Sequence, residues 1–464
     1  MIGILLQAGA SHMTITNHGP SMSSTATHGV ARYATHVAHP PQRYQKRGFS
    51  PNIMPSLVAA RAFRIQSPGK VPRMQKLAVT LLLALALPAL AAEPPALSAT
   101  GDFSNGNAKV VAIDHAAGRV TIESINKGGR NVWWHVRIDG LVEGQKYTLE
   151  TRGLDPVGAD TAPAITYDQK SFERLTSRKS PYTFTAKGAS AYLSRNCPYT
   201  VERAVSLGEA LLKNPHVKVL SLCKSEKDSD VPLLMVSHNG ETPASRKVMW
   251  AIARQHAFAS HSSWAADGLI RWAASDAPDA LEFRKRFILY VVPIMDVDSV
   301  AIGAGGKDQK PIDFNRSWGL EPPPWRAVGE VQKRLRNDHK EHGIAAFFDL
   351  HNPYFAEGSH WYAPAADDPA ARQKFDRFLK HYNESLKDAE NTFTNTVKPP
   401  AASKGRELTS RVWAGKLLGS DAVTATIEIT HLLDGNGKIV TIAGLQNFGA
   451  QLGRSVAATT GPEK

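Results

Sequence analysis

Cysteine is nearly absent, with Cys197 and Cys223 the only two in 464 residues. That excludes a disulfide scaffold and any CxxC-type metal or redox motif, leaving at most one bridge, whose formation stays open. A metal site here must be built from histidine and carboxylates. No apolar run reaches the roughly 18 residues that span a bilayer. The longest, Leu77 to Ala92, has 16 and contains Pro88, so stable membrane insertion is not expected. Acidic residues are missing altogether from residues 1–73, which hold eight Lys/Arg and five His. Glycine patterns that cradle dinucleotides or phosphates are missing too.

What is present begins with charge. Fifty-five Lys+Arg against 42 Asp+Glu give +13, a balance that would suggest a nucleic-acid or anionic-membrane partner were it evenly spread. It is not. Directly after the acid-free stretch comes MQKLAVTLLLALALPALAAEPP from Met74, with Lys76 as a positive start, Leu77 to Leu87 as an apolar stretch and Ala89-Leu90-Ala91 as a small-residue cleavage site. This reads as a secretory signal peptide over 74–91, with 1–73 a spurious or disordered extension read through from upstream. The alternative is that the extension is an organellar transit leader, since such leaders are Arg/Ser-bearing and acid-poor. Cleavage after Ala91 leaves 373 residues with 46 basic and 42 acidic side chains, or +4. A periplasmic or secreted protein with no nucleic-acid partner is expected.

Residues 92–235 read as strands. VTIESI, VWWHVRI, KYTLET and YTFTA are β-branched and aromatic, with turn residues between them, which suggests a β-sandwich. VERAVSLGEALLKNP then has a helical period, followed by the short apolar strands VKVLSL and VPLLMVS. In residues 236–464 the apolar strands KVMWAIA, RFILYVVPIM, IAAFFDL and AVTATIEI alternate with amphipathic helical stretches. Non-alternating apolar strands are buried on both faces, so the fold class is α/β, a mixed-sheet α/β/α domain behind a β-sandwich.

In such sheets chemistry collects where strands end. KVMWAIA runs into Arg254-Gln255-His256 and AAFFDL into His351-Asn352-Pro353. A glycine-rich loop after RFILYVVPIM leads to Asp313-Phe314-Asn315-Arg316, and TIEI carries Glu428. Two histidines, a guanidinium and a carboxylate at strand ends suit a hydrolytic metal site.

Together these pieces resemble the zinc metallocarboxypeptidases, specifically their cytosolic-carboxypeptidase-like branch. The resemblance runs over residues 100–455 and includes SAYLSRNCPYTVERAVSL, the RQH strand end with SSW downstream, DFNRSW, FFDLHNP and TIEI. It implies an α/β/α carboxypeptidase-like domain that removes C-terminal residues from peptides or proteins with zinc. His256 and His351 would be metal ligands and Asp313 the carboxylate that orients His256. Asn315 and Arg316 would grip the substrate's terminal carboxylate, because a planar guanidinium makes two parallel bonds to one. Glu428 would be the general base for the metal-bound water.

Two departures matter. The family's HxxE motif reads His256-Ala257-Phe258-Ala259, so the anionic ligand is replaced by Ala259. The family's oxyanion arginine aligns with Gly306, leaving Lys307 as the nearest cation, and no counterpart to the family's mobile tyrosine is evident. Three accounts of Ala259 compete. His261 substitutes as third ligand and keeps a three-histidine site. Alternatively the domain is a non-catalytic binder of peptide C-termini, or the Glu-to-Ala change is specific to this isolate or its sequencing. An amidohydrolase acting on N-acyl amino acids is a further alternative, since related deacylases share much of the site.

Overall fold

The computed structural model describes residues 96–155, 161–353, 359–364, 368–386, 389–393, 396–398 and 405–460. The extension 1–73 and the leader 74–91 lie outside the described residues. Nine strands come first: β1 (Ser98–Thr100), β2 (Lys109–Asp114), β3 (Arg119–Glu123), β4 (His135–Asp139), β5 (Lys146–Arg152), β6 (Ala164–Thr166), β7 (Glu173–Arg174), β8 (Tyr182–Thr185) and β9 (Ser190–Ser194). They form a five-stranded sheet, β1-β4-β9-β6-β7, and a four-stranded one, β2-β3-β5-β8. Alternation decides what faces inward. In β8, Tyr182 and Phe184 are buried while Thr183 and Thr185 are exposed. The inward residues of both sheets, among them Ile122, Leu149, Phe184, Val136, Ile138 and Leu193, share one core.

The rest of the chain runs α1 (Val201–Leu211), β10 (Val217–Lys224), β11 (Asp230–Val236), β12 (Lys247–Ala253), α2 (Ser260–Ala273), α3 (Pro278–Arg286), β13 (Phe287–Val292), α4 (Val297–Ile302), α5 (Arg326–Glu341), β14 (Ile344–His351), β15 (His360–Tyr362), α6 (Pro369–Ser385), β16 (Thr396–Lys398), α7 (Ser410–Leu418), β17 (Val423–Glu428) and α8 (Ile442–Thr459). Its strands make an eight-stranded mixed sheet, β10-β11-β13-β12-β14-β17-β15-β16. The middle four, β13-β12-β14-β17, are parallel. All eight residues of β14 are buried, as a strand covered on both faces requires. The result is a mixed α/β fold. The sheet reaches back across the expected division at 235/236, because β11 pairs antiparallel with β13 and β10 with β11.

Helix ends follow their capping residues. Thr200 accepts from Arg203 N to start α1, Asp368 from Ala371 N to start α6, and Thr441 from Gly444 N to start α8. Helices α2 and α8 press together where side chains vanish. A Cβ on Gly449 would lie 1.8 Å from Ala265 O, and one on Gly268 2.0 Å from Gln446 O. Both cysteines are free thiols. No helix among the described residues is long and apolar enough to cross a membrane.

Candidate active site

Parallel pairing sets the C-terminal ends of β12, β14 and β17 side by side, with His351 directly opposite Glu428. Beyond β12 the chain turns at Arg254, whose φ of 63° is rare for a side-chain-bearing residue. The turn is secured by Arg254 Nε donating to Ala257 O at 2.8 Å and by a bond from its Nη1 to Tyr199 O. Two residues later His256 faces His351.

The two imidazoles approach through Nδ1, 3.2 Å apart. Each Nε2 is against a buried carboxylate: His256 with Asp313 Oδ1 at 3.0 Å, His351 with Asp349 Oδ2 at 2.8 Å. Carboxylates accept only, so each Nε2 carries its proton, and the two Nδ1 lone pairs of neutral rings then converge on one point. Burial pulls His256 down to about 4. Burial also opposes the charge on His351, but the Asp349 carboxylate holds that imidazole above its ordinary value.

Each carboxylate has its own bed. Asp313 accepts from Asn315 N at 2.8 Å and Asp308 N at 3.0 Å and pairs with Lys307 Nζ. Burial alone would raise its carboxyl, but His256 and Lys307 hold it well below the usual range. Asp349 accepts from Gln255 Nε2 at 2.8 Å, Asn315 Nδ2 at 3.2 Å and the Ser410 hydroxyl. Burial opposes its ionisation too, and these partners with His351 keep it below the ordinary carboxylate value.

His256, Lys307, Asn315, Arg316, His351 and Glu428 line one cavity of about 360 Å³. Glu428 is a carboxylate at the end of an apolar strand, and its Oε2 has no hydrogen-bond partner among the described residues. Burial raises its carboxyl above the ordinary value. Arg316 Nη1 is anchored on Asn315 O at 2.7 Å. Asn315, expected to face substrate, has its amide engaged internally: Oδ1 accepts from Ser410 N at 2.8 Å and Nδ2 donates to Asp349.

The expectation that His261 would serve as third ligand is corrected. Its ring is buried elsewhere, with Nδ1 donating to Thr430 O at 2.9 Å and Nε2 accepting from Arg174 Nη2 at 3.1 Å. Both nitrogens are spent. Burial and the Arg174 charge pull the imidazole down to about 3, so it stays neutral without a metal. Ala259 is fully buried just ahead of α2 and brings no donor.

Two nitrogens bound to one tetrahedral ion at about 2.0–2.1 Å lie about 3.3 Å apart, close to the 3.2 Å seen. When both rings are neutral two lone pairs face each other and favour a cation, whereas a protonated His351 would donate from Nδ1 to His256 Nδ1 instead; both rings carry the orienting carboxylates that metal-binding histidines have. The pair fits as two ligands. Among the described residues no group of three His, Cys, Asp or Glu is placed to hold an ion, so the set is one donor short.

Sequence reasoning missed several wall residues. His360 and Tyr362 arrive on β15 and Arg411 on α7, and all line the cavity. Asp349 had a readable signal, since a carboxylate inside IAAFFDL is too costly to bury unpaired.

No family model matches the chain. It is 27% identical over 207 residues to cytosolic carboxypeptidase 2 from Danio rerio, covering 41% of this chain and 28% of that relative. Over 242 residues it is 24% identical to cytosolic carboxypeptidase 6 from Mus musculus, covering 50% and 43%. The chain thus spans less than half the length of either relative. A metallo-carboxypeptidase structure from Burkholderia cenocepacia matches with a TM-score of 0.67 at 18% identity, covering 78% of this chain and 98% of that one. One from Pseudomonas aeruginosa, in complex with (2-guanidinoethylmercapto)succinic acid, matches at 0.64 and 20% identity over the same shares. The chain is thus similar in sequence to proteins named cytosolic carboxypeptidases and shares the fold of metallo-carboxypeptidase structures.

Proposed function

We propose that the protein is a carboxypeptidase-like hydrolase acting at the free C-terminal end of peptides, with a metal held weakly for want of a carboxylate at position 259. One observation carries this reading: His256, His351, Glu428, Lys307 and Arg316 line a single cavity. His256 and His351 would hold the metal, and bound zinc would supply Lewis acidity toward the carbonyl and a more acidic water. The protein's own groups do the rest. Arg316, fixed at one nitrogen by Asn315 O, presents a planar donor edge to the terminal carboxylate. Glu428, poorly solvated and without a partner at Oε2 among the described residues, has the raised basicity needed to take a proton and return it to the leaving amine. Lys307 places a positive charge on the wall where negative charge develops on the carbonyl oxygen.

The two N-terminal sheets are read as a β-sandwich domain. Residues 74–91 are read as a signal peptide that sends the mature chain, from Ala92, to the periplasm or outside the cell. The test is zinc content and cleavage by purified protein, with Ala259→Glu alongside. The native chain is expected to bind zinc at least about tenfold more weakly than Ala259→Glu and to cut peptides with free C-termini but not amidated ones. Absence of zinc and of cleavage in both forms removes the hydrolase reading.

Ala259 favours a second reading, a binder of peptide C-termini without turnover. It expects Arg316→Ala to abolish preference for the free acid over the amide in a protein that never cleaves either.

A further inference from the structure

The loop that carries Lys307 is held from outside its own sheet. Asn107 Nδ2 donates to Gly303 O at 2.9 Å, and Arg130 N donates to Lys307 O at 2.8 Å. The approach is as close as main chain permits. A Cβ on Gly129 would sit 2.0 Å from Lys307 O, and one on Gly305 2.0 Å from Arg130 O. From the other side Phe258 N donates to Gly305 O at 2.9 Å, and Phe258 packs with Val132 and Trp133 in a small apolar cluster. Residues 303–307 are therefore gripped between the β3–β4 connection and the turn that follows His256.

We propose that Gly129 and Arg130 are positioning residues of the active site: glycine allows, and the Arg130 backbone N–H enforces, the loop position from which Lys307 reaches Asp313 and the cavity wall. The inference rests on the reading of that cavity as a carboxylate-binding site. Lysine is a point charge on a flexible stem, so where its main chain stands decides where its charge can be. Once the loop shifts, Asp313 keeps His256 but loses Lys307, and the cavity loses a cation while its imidazoles stay. The Arg130 side chain also pairs with Asp308 Oδ2 at 2.9 Å, but both partners are about half exposed, at 45% and 53%, so this pair adds little. The main-chain clamp is the working part.

The experiment follows the full chain by two readouts, amide hydrogen exchange over residues 303–308 and affinity for a pentapeptide as free acid and as amide. Gly129→Ala and Gly305→Ala insert a methyl into the clamp from opposite sides. Gly144→Ala is the control for Gly129→Ala, because its φ of 84° carries a backbone cost like that at the 70° of Gly129 with nothing among the described residues within 4 Å, while Gly305 has no left-handed φ and its variant tests the methyl clash alone. In both clamp variants exchange is expected to rise about tenfold and free-acid affinity to fall about threefold, with amide affinity and the control unchanged. In a Lys307→Met background Gly129→Ala is expected to cost no further affinity, which a merely structural role would not produce. Where a glycine variant fails to fold, Asn107→Asp, which keeps the Oδ1 acceptor for Ile125 N but removes the Nδ2 donor to Gly303 O along with its bonds to Ile125 O and Trp133 O, carries the same expectation for exchange over residues 303–308. Native-like exchange and affinity in the folded variants overturn the proposal. A native protein that binds acid and amide equally removes the carboxylate reading instead, and the exchange rates then still decide whether the clamp exists.

Discussion

His261 separates a packing histidine from a metal-binding one. His261→Ala strands Thr430 O, a buried acceptor, and takes one of two acceptors from Arg174 Nη2, which keeps His431 O at 3.0 Å. A loss of about 1–3 kcal/mol in urea unfolding is expected, with zinc affinity unchanged. Loss of zinc in a variant of native stability would reinstate His261 as a ligand. Asp296 gives a pH test. It caps α4, accepting from Ser299 N at 3.0 Å, and also accepts from Gln309 Nε2 at 3.2 Å, while burial pushes its carboxyl up to about 6. Between about pH 4 and 6 the folded chain keeps a proton that the unfolded chain has released, so stability falls as pH rises through that window. Relative to Asp296→Asn, the native protein is expected to lose about 3 kcal/mol between pH 4 and 7 in denaturant titrations. Parallel curves would refute it. What was legible at this scale depended on locality. His256, His351 and Glu428 stand at ends of apolar strands, and strand ends can be read. The role of His261 was not legible, because its partners are 87 and 169 residues away and no local pattern announces them.

At the scale of elements, long apolar runs were the readable signal. KVMWAIA, IAAFFDL and AVTATIEI became β12, β14 and β17, and the amphipathic stretches became α1, α2, α5, α6 and α8. Short or half-polar pieces escaped: α3, α4, α7 and the three-residue strand β15 lack the length over which a period can be recognised. The cost of missing them is specific, since β15 and α7 bring His360, Tyr362 and Arg411 to the cavity. Element packing also depends on residues with no side chain to read. Gly449→Ala would drive a methyl to 1.8 Å from Ala265 O, a backbone atom that cannot swing aside, and force α8 off α2. A loss of about 2–4 kcal/mol is expected by thermal unfolding, against about 1 kcal/mol gained from helix propensity alone. A stabilised variant would show that the two helices slide freely.

At the scale of the whole molecule, the sequence divides into strand-rich and alternating parts, but local patterns say nothing about which edges join. Strands β10 and β11 read as the close of the first part and hydrogen-bond into the sheet of the second. The parts are tied further by buried polar contacts. Arg174 on β7 donates to His431 O at 3.0 Å, Trp264 Nε1 to Cys197 O at 3.2 Å, Tyr199 OH to Asp267 Oδ2 at 3.1 Å, and Asn105 N to Ala301 O at 2.8 Å. Unfolding the nine N-terminal strands, Ser98 to Ser194, would orphan His431 O and Ala301 O, whose donors Arg174 and Asn105 lie in that segment, at about 1–3 kcal/mol for each that stays buried. It would also uncover the loop holding Lys307. The two apolar clusters are separate cores, so on hydrophobic grounds alone two melting units would be expected. The polar ties reverse that expectation. The chain from Ala92 should unfold calorimetrically in one transition, with van't Hoff and calorimetric enthalpies equal. Two resolved transitions would mean that the ties are too weak to couple the cores, and that the site can lose its N-terminal clamp while its sheet stays folded.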